Sequence, residues 1–131
     1  LFRSLADGDY QFRAVVTDPA GNSSNSNAIE VVVDNTAPSA GTLAFANLTD
    51  TGTPNTPAVT TDGTFDLSLS GNADANGTAV TYQVSTDGGT NWTSTTATQT
   101  SLADGDYQFR AVVTDPAGNS SNSNAIEVVV D

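Results

Sequence analysis

Apolar and polar residues alternate in short runs along this chain, and clusters of Gly, Asn, Asp and Pro separate the runs. Over 64–70, Phe65, Leu67 and Leu69 fall on one side and Asp66, Ser68 and Ser70 on the other. A period of two predicts a strand with one buried face. The same alternation turns Val80, Tyr82 and Val84 inward over 79–85, then Tyr107, Phe109, Ala111 and Val113, then Ile126, Val128 and Val130. A short first strand is expected over 43–46. A return strand over 91–96 follows the tight turn Asp87-Gly88-Gly89, with Trp92 as its packing anchor. Polar loops are expected at 48–63 (with Asp50, Gly52, Pro54, Pro57 and Asp62), at 71–77 and at 114–122. About seven short strands, each with one apolar face, require a covering sheet. The pattern predicts an all-β, immunoglobulin-like sandwich of antiparallel strands rather than a closed barrel. In LADGDYQF, an Asp-Gly turn precedes Tyr107, which predicts a tyrosine corner with the hydroxyl bonded back to the turn.

The pattern also repeats. SLADGDYQFRAVVTDPAGNSSNSNAIEVVVD begins at Ser4 and again at Ser101, a period of 97 residues, and the two copies match at all 31 positions. The preceding triplets differ, Leu1-Phe2-Arg3 against Thr98-Gln99-Thr100. Such a period is the length of a small domain, too long for a solenoid turn or a propeller blade. The expected organisation is the closing strands of one repeat at 1–34, followed by a complete repeat at 35–131. An isolated hairpin is marginal in water, so 1–34 needs a covering surface. Because 4–34 and 101–131 are identical, either could complete strands 35–100 of a neighbouring copy and build an open fibre.

Composition narrows the function. Thirteen Asp and two Glu face three Arg (Arg3, Arg13, Arg110), with no Lys, and the net charge is −12. That balance argues against nucleic acid or an anionic membrane as partner. It favours solubility and divalent cations. No apolar run approaches the roughly 20 residues that span a bilayer. Without Cys there is no disulfide framework, and without His the usual nucleophile triads are absent.

Four segments then carry a resemblance: VDNTAP at 33–38, LADGDYQFRAVVTD at 102–115, DPAGNSS at 115–121 and VSTDGGTNW at 84–92. Together they resemble the bacterial immunoglobulin-like repeats of giant Gram-negative surface adhesins and biofilm-associated proteins, of the RTX-adhesin type secreted by type I systems. The resemblance spans 35–131, with 1–34 matching the end of the previous repeat. It implies an extracellular cell-adhesion stalk, a structural protein in which many copies hold a distal module away from the cell. It also implies calcium at the junctions, stiffening the rod.

The residues give calcium a location. Calcium takes six to eight oxygen ligands. A head-to-tail joint between sandwiches is expected to gather Asp7, Asp9 and Asp34 from the earlier repeat. From the complete repeat it gathers Asn35, Asp115 and Asn119, with Asn72 or Asp74 as further donors. Asp104, Asp106 and Asp131 form the equivalent half-site at the other end. Unbridged, these carboxylates repel and the joint flexes; bridged, it stiffens. The plainer reading is that Asp is the turn residue of this chain.

The remaining signals add little. Ser85 to Trp92 matches the S-x-D-x-G-x-x-W box of sialidase propellers, but a propeller needs several boxes at blade spacing. The nonapeptide calcium repeats of RTX β-rolls are absent. Arg110, outward with Gln108, is expected to pair loosely with Asp66 or Glu127. The sequence thus points to a calcium-stiffened extender whose partners are neighbouring copies. A strand-exchanging filament subunit and a carbohydrate- or protein-binding module are the alternatives, and no enzymatic role is expected.

Overall fold

The period-two runs become strands, and the Gly-, Asp- and Asn-rich clusters become their turns. In the computed structural model, which describes residues 4–53 and 56–131, the chain forms two units, Leu1–Thr36 and Ala37–Asp131. Pro54 of the expected polar loop, and the triplet Leu1-Phe2-Arg3, lie outside the described residues.

Unit 1 holds β1 (Gly8–Phe12), β2 (Val15–Thr17), β3 (Ser23–Asn25) and β4 (Ile29–Val33). β1 pairs with β4, from Gly8 opposite Val33 to Phe12 opposite Ile29, and β2 pairs with β3. This is one long, interrupted hairpin. Its Tyr10 hydroxyl donates to the Ala6 carbonyl at 2.7 Å.

Unit 2 holds β5 (Thr42–Ala46), β6 (Ala58–Thr60), β7 (Phe65–Ser70), β8 (Ala79–Ser85), β9 (Thr93–Thr95), β10 (Thr98–Gln99), β11 (Gly105–Thr114), β12 (Ser120–Asn122) and β13 (Ile126–Val130). One sheet has the order β10-β7-β5; the other has β6-β13-β11-β8-β9, with β12 also on β11. It is an immunoglobulin-like β-sandwich. The inward rows meet in a core of Leu43, Phe65, Leu67, Phe109, Ala111 and Val128. Phe45, Phe65 and Phe109 pack edge to face, with ring centres 5.2, 5.7 and 6.2 Å apart. That arrangement suits the positive edge and negative face of each ring. The corner also forms here: the Tyr107 hydroxyl donates to the Ala103 carbonyl at 3.0 Å.

One side chain and one close backbone approach fix β5 in place. Asn124 accepts from the Leu43 amide at 2.8 Å and donates to its carbonyl at 3.0 Å, standing in for a strand beside β5. Gly41, at φ +76°, brings its backbone against β7, where a Cβ would meet the Ser70 carbonyl at 2.3 Å.

Several expectations change. The loop at 48–63 contains β6, which runs parallel to β13. Elsewhere among the described residues of that stretch, Asp62 accepts from the Thr49 and Thr64 amides. The loop at 114–122 contains β12. Val80 is opposite Val113 in register but stays 37 % exposed. Trp92 is not a core anchor. β9 pairs Ser94 with Gln83, and β8 pairs Gln83 with Arg110, so residues 92 and 94 share the outer face with Arg110. The Arg110 guanidinium lies over the indole at 4.3 Å, and the indole N–H donates to the Gly89 carbonyl. Nor does Arg110 pair as expected: it donates to Gln83, Glu127 accepts from Gln108, and Asp66 accepts from Asn47 and Thr98.

Candidate metal centre

The route of the chain through unit 2 decides which carboxylates share an end. At its start, Ser39 bridges Ala73 in the β7–β8 loop, and the Ser121 hydroxyl donates to the Pro38 carbonyl. At its finish, Val130 lies opposite Gly105, and the Asp131 amide donates to the Thr60 carbonyl at 3.0 Å. β11 joins the two ends, running from Gly105 to Thr114. The chain therefore arrives at one pole, with Asp115, and leaves at the other, with Asp104 and Asp106.

At the leading pole the sequence DPAGN folds on itself. Asp115 accepts from the Asn119 amide at 2.9 Å and from the Asn119 side-chain N–H at 2.8 Å. Its own amide donates to the Asn119 carbonyl at 2.9 Å. Asp115 is only 4 % exposed. Burial pushes its carboxyl up, but the bonds from Asn119, Gly118 and Ala117 outweigh burial and the net direction is down. A carboxylate oxygen of Asp74 lies within 4.8 Å of one of Asp115. Asp74 accepts from the Asn76 amide at 2.8 Å, and Asn72 donates to the Thr78 hydroxyl. Calcium–oxygen distances of about 2.3–2.6 Å make that separation one that a single ion spans. The donors present, carboxylate and amide oxygens, are of the kind calcium takes.

In unit 1, Asp7 and Asn35 come together. Asp7 accepts from the Asn35 amide at 2.9 Å, from its side-chain N–H at 3.0 Å and from the Thr36 hydroxyl at 2.6 Å. The Thr36 bond first, then those from Asn35, hold the Asp7 carboxyl below its usual value. Asp34 accepts from the Thr36 amide at 3.0 Å. Thr36, two residues past Asp34, thus joins both carboxylates, a contact the strand and turn pattern does not single out. Asp9 lies within β1, opposite Val32. At the trailing pole of unit 2, Asp104, Asp106 and Asp131 are exposed.

The Asp87 box closes the β8–β9 hairpin. Asp87 accepts from the Asn91 amide and side chain, the Ser85 hydroxyl and the Thr90 amide. Led by the Asn91 amide, these bonds lower its carboxyl to about 2. Both carboxylate oxygens accept from within the turn itself, which makes the box a structural latch. Among the described residues no helix is long and apolar enough to cross a membrane.

No curated protein matches this chain. The family model of the bacterial Ig-like domain matches it twice, over residues 2–35 and 36–131. With both matches covering nearly the whole sequence, and with the sandwich and corner of unit 2 in place, the chain belongs to the bacterial Ig-like domain family.

Proposed function

We propose that this chain is a length-adding repeat of an extracellular bacterial adhesin, stiffened by calcium where successive repeats join, with no enzymatic role. The opposed poles of unit 2 carry the reading: Ser39 is held at the Ala73 end and Asp131 at the Gly105 end. A ten-residue strand at about 3.3 Å per residue separates them by roughly 30 Å. A domain entered and left at opposite poles adds its own length to a tandem array, whereas one entered and left at the same pole adds little. The 97-residue period supports the same reading, because identical surfaces serve length better than varied recognition.

The calcium part rests on donor chemistry. In unit 2, Asp74 and Asp115 stand close together at the leading pole; in unit 1, Asp7 and Asp34 both hold the Asn35–Thr36 segment. A calcium ion held there would neutralise charge that otherwise repels. The binding-module alternative is weaker, because the one indole is already covered by Arg110.

Calorimetric titration of the chain with calcium, paired with melting in calcium and in EDTA, tests this. Binding heat, a higher melting temperature in calcium, and loss of both in Asp115→Asn are expected. No heat and no shift would remove calcium and leave an unstiffened extender.

A further inference from the structure

Twelve asparagines punctuate the chain, and Asn76 alone is followed by glycine. The pair lies in the β7–β8 loop, and both residues are exposed. The Asn76 amide donates to the Asp74 carboxylate at 2.8 Å. The Gly77 amide donates to the Asp74 carbonyl at 3.2 Å, long for a backbone bond. Gly77 is at φ +99°, and a Cβ built there would meet no atom within 4 Å. The Cα side of the Gly77 amide is therefore open, with no side chain of its own and none from a neighbour. Asn91, Asn119 and Asn124 precede Trp92, Ser120 and Ala125, whose Cβ atoms stand beside the corresponding nitrogen.

We propose that the Asn76–Gly77 peptide is a site of spontaneous deamidation in the folded chain, with water as its only co-reactant. The Gly77 nitrogen gives up its proton and attacks Asn76 Cγ. The N–Cγ bond forms, the Cγ–Nδ2 bond breaks, and ammonia leaves with the proton. The five-membered imide then takes up water at either carbonyl. One opening gives aspartate at 76; the other gives isoaspartate, which carries the main chain through the side-chain carbon. Nothing is oxidised or reduced. The reacting groups belong to adjacent residues, so ring closure is intramolecular. Glycine is the successor that permits it, because its nitrogen approaches without a Cβ in the way. The Asp-Gly pairs are slower counterparts. At Asp62 and Asp87, amide bonds led by those from Thr49 and Asn91 keep the carboxyl ionised, and a carboxylate is a poor electrophile. Either product adds one negative charge to the loop of Asp74, in a cleft that Asn76 shares with Thr114, Asp115 and Pro116. The inference stands apart from the extender and calcium readings.

Hydroxylamine intercepts the imide and splits the chain between residues 76 and 77, which makes it the probe. Treatment of the folded 131-residue chain should yield fragments 1–76 and 77–131. The rate should lie within about tenfold of that in urea. Trp92-reported unfolding of the treated chain checks that the fold survives the conditions. Asn76→Gln keeps an amide at an exposed position but closes a larger ring far more slowly, and should lose the cleavage. Aged without the probe, the parent should accumulate aspartate and isoaspartate at 76, located by fragment masses, and Asn76→Gln should not. Cleavage confined to urea, cleavage that begins at another Asn or at an Asp-Gly bond, or undiminished cleavage of Asn76→Gln each overturns the proposal.

Discussion

Residues 4–34 and 101–131 spell the same 31-residue sequence, yet they do not have the same structure. In unit 2, residues 105–114 form one ten-residue strand; in unit 1 the same letters break at Arg13 and Ala14 into β1 and β2. What survives in both is local. The corner hydroxyl bonds back four residues in each copy. The Ala14 amide donates to the Ser26 hydroxyl at 2.8 Å, as Ala111 does to Ser123. The DPAGN loop closes on Asp18 as it does on Asp115, and the Asn22 side chain foremost holds the Asp18 carboxyl low. What differs is supplied from outside the segment. β8 pairs with residues 108–114 and makes the strand continuous, and Leu43, Phe65 and Leu67 bury its apolar row. Turns and caps are written in the 31 residues; strand continuity and burial are conferred by residues 37–100.

Paired substitutions sharpen this contrast, because each residue has a twin 97 positions away. The sole tryptophan, Trp92, lies in unit 2 and reports its unfolding alone. The largest effect is expected from Phe109→Ala, about 3–5 kcal/mol lost in denaturant titration, since a fully buried ring leaves a cavity. Phe12→Ala should leave the same transition within about 0.5 kcal/mol. Asn124→Ala comes next, at about 1–3 kcal/mol, because it strips the partners from both backbone groups of Leu43. Its twin Asn27→Ala should leave the unit 2 transition unmoved. Tyr107→Phe should cost about 1 kcal/mol, the worth of one hydrogen bond, and Tyr10→Phe nothing in the Trp92 signal. An equal effect in both members of any pair would break the contrast.

The effect that depends on pH belongs to Asp87. Its carboxyl is depressed from 3.8 to about 2 in the folded chain. The stability it contributes is fully present above 3.8 and is lost as pH falls through about 2. Asp87→Asn should flatten that acid limb and lower the unfolding midpoint near pH 7, where the ionised carboxylate contributes in full.

Much of the sandwich was legible in the sequence because alternation encodes which face is buried. Phe65, Leu67, Phe109, Val113 and Val128 all lie where period two puts them. The corner at Tyr107 was legible because its signal is contiguous. Trp92 was misassigned because its side depends on the register of β9 against Gln83, which the turn sets and composition does not reveal. β6 was missed because Pro57 and four nearby threonines read as loop, and it earns its strand only by lying parallel to β13. Of the proposed calcium donors, the pairing of Asp115 with Asn119 follows from the local turn. The nearness of Asp74 depends on how two separate loops meet at one pole, which no local pattern displays.

The central claim is that each repeat adds its length to a rod. Small-angle scattering of two, three and four linked repeats, in calcium and in EDTA, tests it most directly. The account predicts a maximum dimension that rises linearly, by at least about 30 Å per added repeat in calcium, with EDTA bending the series below that line. A dimension that stops growing with repeat number in calcium, as for domains folded back on one another, would contradict it.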